Sequence, residues 1–165
     1  PGTPYILFAL ADNGRADIAY MMLFNEKCPS WLYEVKQGAT TIWERWDGLD
    51  ENGECPIGDD GTDMMISYNH YASGAVGDFM YRRIAGIEMT EPGYRHFRIK
   101  PVMDNRISSA RGSVETPYGE IVSDWKMDSG RFTIHVHVPV GTECRLELPD
   151  GSVERLTGGS YERNL

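Results

Sequence analysis

The apolar spacing of this 165-residue chain changes once, near residue 90, and that change limits the folds open to it. Upstream, apolar side chains recur at steps of three and four, the period of a helix with one buried face. Downstream they alternate, the period of a strand with one buried face. Helices first and strands second describe an α+β chain, not an alternating α/β one. The expected division is residues 1–90 helical and 91–165 antiparallel β, a sandwich or sheet domain.

Thr3-Pro4 reads as a helix start, and Asn13-Gly14 as its end. Residues 15–25, RADIAYMMLFN, form a second helix. Pro29-Ser30 caps a short third one from Trp31 to Lys36. The clearest helical pattern is SYNHYASGAVGDFMYRRIAG. Tyr68, Tyr71, Ala72, Ala75, Val76, Phe79, Met80 and Ile84 make one stripe, and His70, Gly74, Gly77 and Tyr81 a second. Glycine costs about 1 kcal/mol relative to alanine inside a helix, so a neighbouring helix or a ligand is expected to approach that second stripe. Pro92-Gly93 ends the helical regime. Strands are expected over 96–102, 110–116, 120–127, 132–138 and 144–149, with turns at Asp128-Ser129-Gly130 and Pro149-Asp150-Gly151.

Between the two helical regions lies GATTIWERWDG, residues 38–48. Two tryptophans flank a Glu-Arg pair there. A flat apolar face beside an ionised group suits a ligand that has both an apolar face and polar atoms. The acid- and glycine-rich loop at 47–63 that follows fails calcium-loop spacing: with Gly53 as its glycine, the first ligand would fall on Gly48. It is expected to be a solvated loop.

The net charge of −9 argues against a nucleic-acid partner. No apolar run is long enough to span a membrane. Cys28, Cys55 and Cys144 are far apart and odd in number, so they read as free thiols with at least one in the core, not as a disulfide or zinc framework. His135 and His137 share a strand face without a third ligand and are expected to face solvent, so no metal is assigned. The chain opens on Pro1-Gly2-Thr3-Pro4 without a Met and reads as part of a longer parent. The compartment is left open.

Two segments together carry a family resemblance: Thr40-Thr41-Ile42-Trp43-Glu44, and Ser67-Tyr68-Asn69-His70-Tyr71-Ala72-Ser73-Gly74-Ala75-Val76. In this tandem, with the following Pro92-Gly93-Tyr94 to Pro101 and Ala110 to Gly119 blocks, the chain resembles the C-terminal end of bacterial α-L-rhamnosidases, the inverting glycoside hydrolases of family 78. The resemblance runs from about Thr3 to Val140. It implies that the first half is the last helices of an (α/α)6 barrel and the second half the C-terminal β-sandwich. It also implies a rhamnose-containing carbohydrate as partner, no cofactor, and a general acid upstream of this chain.

Carried over by position, Glu44 matches the general base, and Arg45 or another donor would keep it ionised. His70 matches a sugar-binding histidine. Trp43 and Trp46 would offer a wall for the deoxy sugar, one of them facing it and the other packing between helices. Asn69 and Tyr71 read as structural. Glu34, a rival carboxylate in WLYEVK, is expected to contact solvent or the surroundings of the site.

Two other readings stand beside this one. One is another (α/α)6 glycosidase, such as an α-L-fucosidase or a trehalase-like enzyme. The other is a non-catalytic carbohydrate-binding or structural module. An isolated piece of the barrel would expose apolar faces and tend to dimerise or aggregate unless the sandwich supports it.

Overall fold

A computed structural model describes residues 2–58 and 61–165; Asp59 and Asp60 of the acidic loop lie outside the described residues. The chain forms two compact units that divide between Gly77 and Asp78.

The first unit opens with three helices, followed by a long irregular stretch. Helix α1 (Thr3–Asp12) starts on Gly2, with Pro4 in its first turn where a missing N–H costs nothing. Helix α2 (Ala16–Leu23) buries Ala19, Tyr20 and Leu23. Helix α3 (Trp31–Lys36) begins as expected: the Ser30 side chain accepts the Tyr33 N–H at 3.0 Å. It ends in a left-handed turn at Gly38 (φ 84°), where the Ala39 N–H reaches back to the Glu34 carbonyl at 3.0 Å. The described residues of 39–70 hold no helix.

The long helix expected over 67–86 is broken. It appears as α4 (Tyr71–Gly74), α5 (Val76–Phe79) and a π-helical turn, Met80–Ile84. Tyr71 is 88% exposed and Met80 also faces outward, so the buried row is Ser73, Val76, Phe79 and Ile84. Two side chains of the second unit close the end of the π turn. The Ile84 and Ala85 carbonyls are taken by Trp125 Nε1 (2.8 Å) and Ser123 Oγ (2.7 Å), and the Ala85 N–H instead reaches the Met80 carbonyl at 2.8 Å.

The second unit is built on six strands: β1 (Ile87–Met89), β2 (His96–Ile99), β3 (Ser109–Thr116), β4 (Gly119–Asp128), β5 (Arg131–Glu147) and β6 (Val153–Asn164). They share one hydrogen-bonded network in the order β1-β2-β5-β4-β3, with β6 also on β5. The mixed helix-and-strand class is as expected, and four of the five pairings are antiparallel. The exception corrects a purely antiparallel reading: β2 runs parallel to the second half of β5, Phe97 opposite Cys144 and Ile99 opposite Leu146. The chain crosses through β3 and β4 between them, which supplies the long connection a parallel pair needs.

Two expected strands, 132–138 and 144–149, are one bent strand. Its register against β6 shifts between Val138 and Glu143, where Pro139 and Gly141 fall. Ile121, Ser123 and Trp125 of β4 and Phe132, Ile134, Val136, Val138, Cys144 and Leu146 of β5 are buried, which confirms the alternation. Burial pushes the Cys144 thiol up to about 12, so it stays protonated and packs as a small apolar group. His135 and His137 lie on the outward face, beside Glu162 (3.6 Å) and Ser160 Oγ (2.9 Å).

One ionic cluster supports the β1–β2 edge. Glu88 meets Arg82 at 2.6 Å and Arg83 at 3.2 Å, and also pairs with Arg98. Burial alone would raise the Glu88 carboxyl, but Arg82, Arg98 and Arg83 together outweigh it and hold it at about 2.

Candidate active site

The residues singled out in GATTIWERWDG and SYNHY come together through backbone pairing. Segment 42–44 runs beside segment 67–70. The Glu44 N–H donates to the Ser67 carbonyl (2.8 Å), and the His70 N–H donates to the Ile42 carbonyl (2.9 Å). Thr41 Oγ1 adds a bond to the Tyr68 carbonyl. Threonine and isoleucine favour such an extended path. The pairing brings Glu44 and His70 onto adjacent strips of chain although 26 positions separate them in sequence.

The Glu44 side chain is exposed, and its Oε2 accepts the Ser67 N–H at 3.0 Å. Of the two supports expected for Glu44, the other donor is the one that bonds it. Arg45 forks onto Asp47 instead (3.0 and 2.9 Å) and lowers that carboxyl. His70 is the N-cap residue of α4, and its ring stacks at 6.1 Å on that of Tyr71.

The two tryptophans part ways. Trp43 is 4% exposed and meets Tyr68 edge-on at 5.3 Å. Trp46 is half-buried and packs at 4.6 Å against Trp31, whose Nε1 is held by the Ser73 carbonyl at 3.1 Å. Trp46 is therefore the one of the pair that stays partly exposed.

Of the two places expected for Glu34, solvent or the surroundings of the site, the structure shows the second: it is 0% exposed, and its Oε2 accepts the Trp43 N–H at 3.0 Å. Its Oε1 is buried without a hydrogen-bond partner. Burial pushes this carboxyl up to about 7, against the lowering effect of the Trp43 N–H.

The native state thus holds a proton that the unfolded chain releases near pH 4.5. Stability is lost as pH rises from there to about 7 and is level above, by at most about 3 kcal/mol. Thermal midpoints measured from pH 4.5 to 8 should fall for the wild type relative to Glu34→Gln. Parallel curves for the two proteins would refute this assignment.

In the acidic loop, the Asp50 carboxylate accepts the Asn52 and Glu54 N–H groups at 2.8 and 2.9 Å, and Ile57 bridges Asp63. These are bonds within the loop that fold it on itself.

Comparison with known proteins agrees on one family along almost the whole chain. Residues 1–84 match the model described as the bacterial alpha-L-rhamnosidase 6 hairpin glycosidase domain, and residues 86–163 the bacterial alpha-L-rhamnosidase C-terminal domain. An alpha-L-rhamnosidase of Formosa agariphila is 40% identical over 156 residues, covering 94% of this chain and 16% of the relative. One of Streptomyces avermitilis is 38% identical over 164 residues, covering 98% and 15%.

Among solved structures, the Streptomyces avermitilis alpha-L-rhamnosidase complexed with L-rhamnose superimposes with a TM-score of 0.89 at 33% identity, over 99% of this chain and 17% of that one. The native Aspergillus terreus enzyme gives a TM-score of 0.92 at 35% identity, over 99% and 19%. The chain spans only about one sixth of the length of these relatives.

Proposed function

The chain belongs to the bacterial α-L-rhamnosidase family, and from that premise we propose that it supplies the base-bearing part of the active site of a longer enzyme that removes terminal α-L-rhamnose from glycans or plant glycosides. In this reading residues 1–90 close the catalytic helical barrel and residues 91–165 form the C-terminal sandwich. The observation that carries it is the exposed Glu44 carboxylate, held by the Ser67 N–H on a strip paired to that of His70.

The reaction is a single displacement. Glu44 takes one proton from water as the water oxygen bonds to C1 of rhamnose. The C1–oxygen glycosidic bond breaks on the opposite face, and a general acid outside this chain protonates the leaving oxygen. His70 hydrogen-bonds a sugar hydroxyl, and the exposed part of Trp46 takes the apolar side of the deoxy sugar. Trp43 supports the wall from beneath. Tyr5, Met65 and Tyr71, which are 71%, 100% and 88% exposed, mark apolar surface that the rest of the barrel would cover.

The chain alone, lacking the acid, is expected to be inactive. Proton NMR of the first sugar released from p-nitrophenyl α-L-rhamnoside by the longer enzyme tests the mechanism. β-L-Rhamnose is expected before mutarotation; the α anomer first would mean retention and a different role for Glu44. Equal turnover of an α-L-fucoside would move the substrate assignment to fucose.

A further inference from the structure

We propose that Glu34 is a positioning residue for Glu44, acting through the Trp43 peptide; this rests on the reading of Glu44 as the base. In an extended segment, successive backbone groups point to opposite edges. The Ile42 carbonyl and the Glu44 N–H point to one edge and are taken by the His70 N–H and the Ser67 carbonyl. The Trp43 N–H points to the other edge, where no strand runs among the described residues. The Glu34 carboxyl takes that place, its Oε2 3.0 Å from the Trp43 nitrogen.

Side chains alternate in the same way, so Trp43 is buried and Glu44 exposed. The carboxyl grips the buried edge one residue before the base. Its own placement is fixed: α3 is started by the Ser30 cap and closed at Gly38, and the Glu34 side chain is wholly buried. A leucine of similar length would pack there equally well, but it would leave the Trp43 N–H without an acceptor. A carboxyl in this place, with one oxygen unpartnered, therefore serves the peptide it holds and not the core around it.

The role is that of an acceptor, which a neutral amide can fill. In the full-length enzyme acting on p-nitrophenyl α-L-rhamnoside, Glu34→Leu should lower kcat by about 30- to 100-fold with KM within about threefold. Glu34→Gln should stay within about threefold of wild type in both. If the leucine variant does not fold, Glu34→Asp carries the same expectation as leucine, because it withdraws the carboxyl by one methylene.

Wild-type kcat in Glu34→Leu or Glu34→Asp, whatever the change in Tm, would reduce Glu34 to packing and overturn the inference. Loss in Glu34→Gln equal to that in Glu34→Leu would overturn it too, since the acceptor would then not be what matters. Glu44→Gln is assayed beside them. If that variant stays active, the reading of Glu44 itself has failed; if it is inactive while the Glu34 variants are not, only the inference has.

Discussion

Replacing Glu44 by Gln in the longer enzyme is expected to lower kcat for p-nitrophenyl α-L-rhamnoside by about 10³- to 10⁴-fold, with the fold intact and KM little changed. The amide preserves the shape of the side chain, and its carbonyl can still accept the Ser67 N–H that the carboxylate accepts at 3.0 Å. What it loses is basicity toward water, and positioned acid–base groups contribute rate factors of that order. KM should hold because His70 and Trp46, not Glu44, would contact the sugar in the ground state.

The leaving phenoxide sharpens the test. p-Nitrophenol needs little help from the general acid, so the loss reports on activation of the nucleophile. Azide, which needs no deprotonation, should restore part of the turnover to Glu44→Gln. Robust turnover in Glu44→Gln without azide would mean that WERW is a packing motif and that the base lies elsewhere.

The sequence carries the coarse fold because period is a local property. The alternation from Phe132 to Val138 and from Cys144 to Leu148 is visible without any tertiary knowledge, and so is the Ser30 cap. What it hides is set by distant contacts. β6 is not legible because only Leu156 is buried along its twelve residues and Gly158-Gly159 sits in its middle, so no alternation is written there. The joining of two strands into β5 is hidden because Pro139 and Gly141 carry the chemistry of a turn, yet pairing with β6 continues on both sides of them.

The end of the helix expected over 67–86, at Ile84 and Ala85, is held by Trp125 and Ser123, some forty positions away. The site shows the same divide. The tandem motif singles out Glu44 and His70, which lie on paired strips of chain, but six residues of α3 are too few to show that Glu34 faces inward. Nor could spacing alone decide which tryptophan is buried. Glu34 had one usable signal: it is the lone acid between Trp31-Leu32-Tyr33 and Val35.

A substitution at Gly86 should be the most damaging single-methyl change in the β unit. Gly86 joins the π turn to β1 at φ 82°, a conformation that costs alanine about 1 kcal/mol. A Cβ there would lie 2.4 Å from the Pro101 nitrogen and 2.5 Å from the Lys100 carbonyl carbon. Those are backbone atoms, and they are held: the Lys100 N–H donates to the Gly86 carbonyl at 2.9 Å and the Val102 N–H to the Arg83 carbonyl at 2.8 Å. Relief therefore requires opening the end of the β1–β2 pair.

Strain and overlap together should cost about 3–5 kcal/mol in Gly86→Ala. Gly130 separates the two terms. It has almost the same φ, 81°, but nothing lies within 4 Å of its missing Cβ. Gly130→Ala should cost only about 1 kcal/mol. Thermal midpoints of the two variants, read beside wild type, give the difference directly. If they shift equally, the chain yields at Lys100-Pro101 more easily than its hydrogen bonds imply, and left-handed strain alone accounts for glycine at this junction.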